Sequence, residues 1–249
     1  MASLSARCLP ALGEVHAGDD LAALIIQAGA ELRDGHVLAI AHKVVSKAEG
    51  AVVALGVVAP SARARELAAE QGKDARAVQV VLEQSTELLR AERGVLICRT
   101  HHGFVCANAG VDASNAPAAE TLVLLPRDPD ASARRIRARL RELTGRAPAV
   151  LISDSFGRPW RHGQLDVAIG LAGMQPLDDW RGRTDARGMQ LQATWLAVAD
   201  AAAAGAELAR AKDSAEPVVL IEGLERYVMT PDGPGAAALL RPLLEDLFR

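Results

Sequence analysis

The chain has 249 residues, half of them hydrophobic, which is enough to bury the core of one large domain or two small ones. Its net charge is −3 and it contains no basic tract, so a nucleic-acid partner is not indicated. The apolar runs are short and interrupted, and the N-terminus lacks a charged start followed by a long apolar core. We therefore expect neither a membrane span nor a signal peptide. Three cysteines without CxxC spacing predict a protein of the reducing cytoplasm, without a disulfide framework.

The first half of the chain alternates helical and strand-like patterns. Apolar residues at helical spacing over 21–32 predict a helix that Asp19 could cap. Residues 36–46 predict a buried strand that leads into a polar turn. Residues 61–92 have a helical composition, with an apolar stripe that includes Leu89.

A β-hairpin is predicted around the segment THHG, because two strand-like runs flank it. His101 and His102 are then turn residues. Even on a strand they would not share one metal ion, because adjacent side chains point to opposite faces. Cys98 and Cys106 are placed symmetrically about the turn and could face each other. We interpret them as buried, reduced thiols.

The second half of the chain predicts further strands and helices. Strands are expected at 149–153, 167–173 and 217–223, and helices at 128–145, 195–212 and 236–248. Asp130 or Ser132 could cap the first of these helices, and Gly145 would end it. This mixed order favours an α+β fold, with mixed sheets packed against helices, over a strict βαβ alternation. Without a repeat or a linker, residues 1–249 form one unit or two closely packed subdomains.

Three polar clusters follow strand-like runs, where functional loops usually begin. They contain Lys43 and Lys47 in the first, Asp112 and Asn115 in the second, and Asp154, Ser155, Arg158, Arg161, His162 and Gln164 in the third. A carboxylate and a hydroxyl at a strand end can hold a hard divalent cation. Water molecules and substrate phosphates then complete the coordination shell of the ion. Two aspartates from separate loops, with cationic side chains nearby, could form a metal–nucleotide site. An aspartate after a strand is also a common turn or helix cap, so both interpretations stay open.

Several familiar active-site motifs do not occur in the sequence. There is no P-loop, no GxGxxG after a strand, no GxSxG and no HExxH, so a nucleotide would have to be held in another way. Asp178 and Asp179 precede Trp180, and we interpret them as a solvated turn in preference to metal ligands.

Seven phrases of the sequence occur in the order in which one known family has them. They are GDDLAALI, DGHVLAIAHKVVSKAEG, NAGVDASN, ISDSFGRPWRHGQ, VAIGLAGM, DWRGRTDARG and AVAD. Together they resemble the coenzyme F420-0:L-glutamate ligases, also called F420 gamma-glutamyl ligases. The resemblance runs from about Leu9 to about Gly223, and seven phrases in the right order are far more specific than one.

The resemblance implies a cytoplasmic ligase that adds L-glutamate to a deazaflavin coenzyme precursor, F420-0, and later glutamates through gamma linkages. GTP would phosphorylate the substrate carboxylate, and the acyl phosphate would then react with the amine. The family also implies magnesium or manganese, as two divalent ions, with potassium as a further candidate. Its fold is a mixed α/β arrangement that forms an intertwined homodimer.

The resemblance assigns roles to residues that match the family motifs. Asp112 and Asp154 match the metal-binding aspartates, and Ser155 stands where the family usually has a threonine at a second metal. Asp112, Asp154 and Lys47 are the expected catalytic residues. The expected nucleotide-binding residues are Leu12, Gly13, Glu14, Val15, His42, Lys43, Lys47, Asn115 and Lys212.

The sequence departs from the family pattern at several positions. His42 and Lys43 stand where the family commonly has Ser or Thr. Trp195 and Ala201 replace acidic residues, and both changes lie on one predicted helix. Two alternatives therefore stay open: a related GTP-dependent amide ligase with another carboxylate acceptor, and a GTP-binding relative without catalytic activity. No role is assigned to Arg158, Arg161, His162 and Gln164 beyond lining the acceptor or phosphate side, or bracing the loop.

Overall fold

A computed structural model describes residues 3–246 of the chain. Its strands are β1 (Ser5–Cys8), β2 (Val37–Ala41), β3 (Val52–Ala54), β4 (Ser85–Glu92), β5 (Val95–Thr100), β6 (Val105–Ala107), β7 (Thr121–Val123), β8 (Ala149–Arg158), β9 (Arg161–Ala172), β10 (Leu177–Asp179), β11 (Trp195–Ala197) and β12 (Val218–Glu222). Its α-helices are α1 (Leu21–Gln27), α2 (His42–Ala48), α3 (Ala62–Gln71), α4 (Ala75–Glu83), α5 (Pro129–Thr144) and α6 (Val198–Ala209).

A five-stranded mixed sheet in the order β1-β12-β2-β8-β9 carries the main core. β2 and β8 are parallel, and the other neighbours are antiparallel. Side chains alternate along each strand, so Leu38 and Ile40 pack with α1 and α5, while Val37 and Ala39 pack with α6. The sheet is thus covered by helices on both faces. The mixed sheets packed with helices that the sequence predicts are confirmed.

A smaller layer contains the predicted hairpin. β4, β5 and β6 form a three-stranded sheet that packs against α3 and α4, while β3 pairs with β7 and β10 pairs with β11. His101 and His102 lie in the turn, as predicted. Cys98 and Cys106 are directly opposite each other and both are buried thiols. Burial, followed by the negative charge of Asp154, raises the pKa of Cys106 to about 12.

The strand predicted over residues 36–46 is wrong after Ala41, because the chain turns directly into α2. The two consecutive valines in this segment favour a strand locally. The buried side chains of α2 are nevertheless His42, Val45 and Ser46, which is the i, i+3, i+4 spacing of a helix face. Burial on that face therefore outweighs the local strand preference.

The predicted helix over 61–92 is wrong from Ser85 onwards. Gly72, at φ +65°, ends α3, and α4 follows it. The chain then forms β4 from Ser85 onwards, where Leu89 is exposed instead of part of an apolar helix stripe. The sequence pattern missed both the break and the change to strand.

The capping residues also differ from those predicted. Asp20 caps α1, since its carboxylate accepts from the amide of Ala23, whereas Asp19 accepts from the amide of His16. Asp128 caps α5 in place of Asp130 or Ser132. The predicted end of α5 at Gly145 is confirmed, with φ +71°.

The predicted C-terminal helix is wrong as far as it is described. Its residues up to 246 contain two short 3-10 turns, Ala236–Leu239 and Leu243–Glu245. Pro242 lies between them, and a proline inside a helix removes a backbone hydrogen bond. Within residues 3–246, no helix is long and apolar enough to cross a membrane.

The polar run after residue 153 is a long β-hairpin, and the loop interpretation is wrong. β8 pairs with β9 from Val150 to Arg158, and only residues 159–160 connect the two strands. The distal part, over 157–164, is exposed to solvent. The arginines, histidine and glutamine of the third polar cluster therefore lie on a projecting arm.

α5 lies so close to β9 that residue 170 has no room for a side chain. A Cβ added at Gly170 would lie 2.6 Å from the carbonyl carbon of Pro129. We therefore expect Gly170→Ala to lower the free energy of unfolding by about 1–3 kcal/mol, as for other overpacked cores. Gly157→Ala, on the same hairpin, is the matched control, since its Cβ would meet no atom within 4 Å. Urea denaturation of both variants measures the difference, and equal losses would contradict this packing.

Candidate active site

α2 carries the first predicted polar cluster and places it against the second and the third. Because the helix begins directly after β2, its first two side chains reach different parts of the chain. His42 Nε2 lies 3.2 Å from Asp154 Oδ1 on β8, and Lys43 Nζ lies 2.7 Å from Asp112 Oδ2. Both predicted metal-binding aspartates therefore lie beside the first turn of α2.

Asp112 is held in a partly buried turn after β6. Its carboxylate accepts from Lys43, from the amide of Ser114 at 2.7 Å and from the Ser114 hydroxyl at 2.8 Å. Burial alone would raise the pKa of Asp112, but these hydrogen bonds and the Lys43 charge outweigh it and lower the pKa. Asp112 is thus both a turn-capping residue and an ionised carboxylate. Asn115 follows in the same turn, exposed and at φ +54°.

Asp154 lies inside β8, so the interpretation of this residue as a turn or helix cap is wrong. Its side chain is 15% exposed, and His42 beside it is 2% exposed. The 3.2 Å approach of the two side chains has the length of an ion pair, yet His42 Nε2 has no hydrogen-bond partner within residues 3–246. We attribute this to direction: the separation suits an interaction, but the ring nitrogen is not oriented for a hydrogen bond to the carboxylate.

Lys47 connects α2 to the N-terminal segment. It lies one turn after Lys43, and its Nζ is 2.8 Å from Glu14 Oε1. This hydrogen bond and the lysine charge lower the pKa of Glu14. Val15 anchors the segment in the core at 2% exposure, and Gly13 takes φ +76°. The predicted segment of Leu12, Gly13, Glu14 and Val15 therefore lies beside Lys47, as a shared nucleotide site would require.

Ser155 belongs to a different face of β8 from Asp154. Successive strand residues point to opposite sides, and the partners of Ser155 lie on the α6 side of the sheet. Its hydroxyl donates to Asp166 Oδ1 at 2.6 Å, and Lys212 Nζ lies 2.7 Å from the same hydroxyl. The structure thus joins Ser155 to the predicted Lys212, and it separates this pair from the carboxylate of Asp154.

Asp166 is the centre of this second cluster and was not predicted. It is fully buried, directly opposite Ser155 in the hairpin, and paired with Arg210. Burial alone would raise the pKa of Asp166, but the hydrogen bond from Ser155 and the charge of Arg210 outweigh it and lower the pKa. Glu207 on α6 completes the cluster by accepting from the Asp166 amide and from Lys212. A single aspartate at a strand position flanked by apolar residues was the available signal.

The departures from the family pattern do not lie on one helix, so that prediction is wrong. Trp195 lies in β11, half-exposed, with the guanidinium of Arg181 4.0 Å from its ring centre. Ala201 lies in the first turn of α6 and is exposed. The solvated turn predicted at 178–179 is also wrong, because Asp178 is buried and accepts from the indole of Trp180.

Removal of the Asp166 carboxylate leaves Arg210 buried without its counter-charge. We expect Asp166→Ala to lower the free energy of unfolding at neutral pH by about 3–5 kcal/mol, as when one member of a buried ion pair is deleted. Asp213→Ala, at an exposed position one residue after Lys212, is the control and should change stability little. Urea denaturation measures both, and similar values for the two variants would contradict the pairing.

The Asp166 cluster also has a defined pH dependence. The pKa of Asp166 is lower in the folded than in the unfolded state. The contribution of this carboxylate to the free energy of unfolding is therefore complete above its unfolded pKa of about 4. That contribution is lost as the pH falls through the lower, folded pKa. The difference in unfolding free energy between the wild type and Asp166→Ala should therefore narrow below about pH 4. A difference that widens in acid would show that Asp166 is not held ionised.

Comparison with known proteins agrees with the resemblance of the motifs. A family described as F420-0:gamma-glutamyl ligase matches residues 11–223. The coenzyme F420:L-glutamate ligase of Methanopyrus kandleri is 46% identical over 243 residues, which are 97% of this chain and 96% of that protein. The enzyme of the same name from Methanothermobacter thermautotrophicus is 45% identical, over 94% of each chain. That from Methanocaldococcus jannaschii is 41% identical, over 88% of this chain and 86% of its own. With this identity over nearly the whole length, and all seven motifs in order, the chain belongs to the F420-0:gamma-glutamyl ligase family.

Proposed function

We propose that this protein is a GTP- and divalent-metal-dependent ligase that joins L-glutamate to F420-0 and then adds gamma-linked glutamates. Family membership supports the coenzyme and the amino acid. The observation that carries the rest is the arrangement around α2, where His42 lies beside Asp154, Lys43 is paired with Asp112, and Lys47 follows one turn later. Residues four apart project from the same side of a helix, so the two ammonium groups can act on one polyanion.

The reaction requires activation of a carboxylate, which is a poor electrophile. The γ-phosphoryl group of GTP passes to the carboxylate of F420-0, and GDP leaves. The amine of glutamate then attacks the acyl carbon, phosphate leaves, and the amine proton passes to water. Lys43 and Lys47 neutralise phosphate charge as compact cations and hold the reacting groups in line. No covalent protein nucleophile is needed for this route.

The residues beside α2 suit a hard divalent cation such as magnesium or manganese. Asp112 and Asp154 supply carboxylate oxygens, which such ions prefer. Within residues 3–246, no three His, Cys, Asp or Glu side chains come together as a complete ligand set. A partial set of protein ligands is what an ion completed by water and phosphates requires. When bound, the cation would neutralise charge on the transferring phosphoryl group. Ser155, on the other face of β8 from Asp154, is the proposed ligand of a second ion, and Lys212 is the proposed nucleotide contact beside it.

The proposed metal role of Asp154 predicts the effect of a substitution that removes the charge of its side chain and hardly changes the volume. Asp154→Asn should reduce glutamylation of F420-0 by at least about a hundredfold while the fold is retained, because it removes a negative charge from the metal ligands. Asp34→Asn is the control, since Asp34 precedes β2 at the opposite end of that strand and caps the amide of Ala147. Mass spectrometry of the product, with GTP, magnesium or manganese and L-glutamate, measures activity. Normal activity of folded Asp154→Asn would refute the metal role, and wild-type protein without glutamylated product would refute the function.

A different carboxylate acceptor is a second candidate function. The observation in its favour is Trp195, which replaces an acidic residue of the family and stacks half-exposed with Arg181. Screening several amino acids and acceptors for GDP release separates this candidate from F420-0 ligation. GTP binding without turnover on any acceptor would instead indicate a non-catalytic relative.

We further propose that two chains form the homodimer that the family resemblance implies. The support is the projecting β8–β9 arm, which is exposed over residues 157–164 and carries Trp160 at its tip, 81% exposed. Light scattering should give twice the chain mass of 26.2 kDa. Trp160→Ser should shift the protein towards the monomer, because an exposed aromatic at a loop tip is a typical interface anchor. A monomer at all concentrations would contradict the proposal.

A further inference from the structure

A buried histidine beside Asp154 has one ring nitrogen without a partner. The side chain of His42 is 2% exposed, and its Nε2 has no hydrogen-bond partner among residues 3–246. Nearly all buried polar atoms in proteins are hydrogen-bonded, so an exception at a candidate site needs an explanation. Asp154 Oδ1 lies 3.2 Å from Nε2, but in a direction unsuited to a hydrogen bond.

The other ring nitrogen determines the state of the unpaired one. His42 Nδ1 lies 3.3 Å from the hydroxyl oxygen of Ser46, which is fully buried one turn later on α2. When Nδ1–H donates to that oxygen, Nε2 carries a lone pair. Histidines that bind metals usually donate their other ring N–H in this way, which fixes the ring and the tautomer.

His36 shows the contrasting arrangement in the same protein. It is also buried, and its Nε2 also lies 3.2 Å from a carboxylate, that of Glu222. Its Nδ1 accepts from the amide of Arg33, so its Nε2 carries the proton and can donate to Glu222. The Nδ1 partners therefore differ: the backbone N–H of Arg33 can only donate, so it fixes the proton of His36 on Nε2, whereas the Ser46 hydroxyl can accept from His42 Nδ1 and so permits a lone pair on Nε2.

A lone pair on Nε2 and a carboxylate oxygen 3.2 Å away repel each other unless one cation binds both. We propose that His42 Nε2 and Asp154 Oδ1 bind the same divalent cation, so that the metal site of this protein contains a nitrogen ligand. Neighbouring ligands about 2.1 Å from an octahedral ion stand about 3 Å apart, close to the spacing observed. This inference rests on the proposed role of Asp154 in metal binding.

The nitrogen ligand has a consequence for the choice of metal. Magnesium prefers an all-oxygen shell, whereas imidazole suits later first-row ions, whose affinities rise from Mn²⁺ towards Co²⁺ and Ni²⁺. We therefore expect tighter binding of Mn²⁺ and Co²⁺ than of Mg²⁺. His42→Gln should weaken Mn²⁺ binding by at least about tenfold and reduce this preference.

Pulsed electron paramagnetic resonance on Mn²⁺ tests the contact directly. The full chain is labelled with ¹⁵N-histidine and given one equivalent of Mn²⁺ and unlabelled GDP, so that a ¹⁵N coupling cannot arise from the guanine. We expect the coupling of a directly bound imidazole in the wild type and in His36→Gln, and its loss in His42→Gln and Asp154→Asn. Circular dichroism establishes the fold of each variant, and His42→Asn serves where His42→Gln does not fold.

The outcomes separate this inference from the proposed function. If the wild type shows no ¹⁵N coupling, or if the coupling persists in a folded His42 variant, His42 is not a ligand. Loss of Mn²⁺ affinity in Asp154→Asn alone would then leave the metal-dependent ligase standing. If Mn²⁺ binding is unchanged in Asp154→Asn, both the ligand assignment and the metal role of Asp154 are wrong.

Discussion

The candidate site depends on one backbone event, the change from strand to helix between Ala41 and His42. A strand would send consecutive side chains to opposite faces of the sheet, whereas a helix spreads them by about 100° each. Because of this change, His42 and Lys43 reach two different aspartates, and Lys47 reaches the N-terminal segment one turn later. One short helix thereby ties three distant parts of the chain to the end of β2.

β8 divides the polar residues between two sides of the sheet. Asp154 faces α2, while Ser155 faces the cluster of Asp166, Arg210 and Lys212 near α6. A buried ion pair of this kind adds little net stability compared with apolar packing, because removing both charges from water is costly. Its contribution is better understood as positioning: the Ser155 hydroxyl and the Lys212 ammonium are both held by a carboxylate that cannot reach solvent.

The sequence predicts which residues lie around α2 better than the backbone that brings them there. Asp112, Asp154 and Lys47 are recognised from motif phrases that resemble a known family, and each of them lies beside or on α2. α2 is missed since Val44 and Val45 favour a strand, and the helical burial of His42, Val45 and Ser46 emerges only from tertiary packing. The polar run after Ser153 is mistaken for a loop, because a strand that leaves the core no longer needs apolar alternation.

Asp166 illustrates the limit of sequence patterns more sharply. In LDVAIG it stands among apolar residues, and nothing local indicates that Arg210, 44 positions later, pairs with it. Pairing across such a distance is decided by the register of β8 against β9 and by the packing of α6 on β9. Long-range pairing of this kind is a property of the topology, so a single sequence does not contain a readable signal for it.

The ion pairs of α2 also suggest why metal and nucleotide would bind together. Lys43 is paired with Asp112 and Lys47 with Glu14, so neither ammonium can bind phosphates without the loss of an ion pair. If a divalent cation binds the carboxylate of Asp112, that carboxylate keeps a positively charged partner. The ammonium of Lys43 can then bind the phosphates. The proposed metal and nucleotide then exchange partners with the same residues, which makes each favour the other. The partial exposure of these pairs keeps the cost of that exchange low, since ion pairs near solvent are weak.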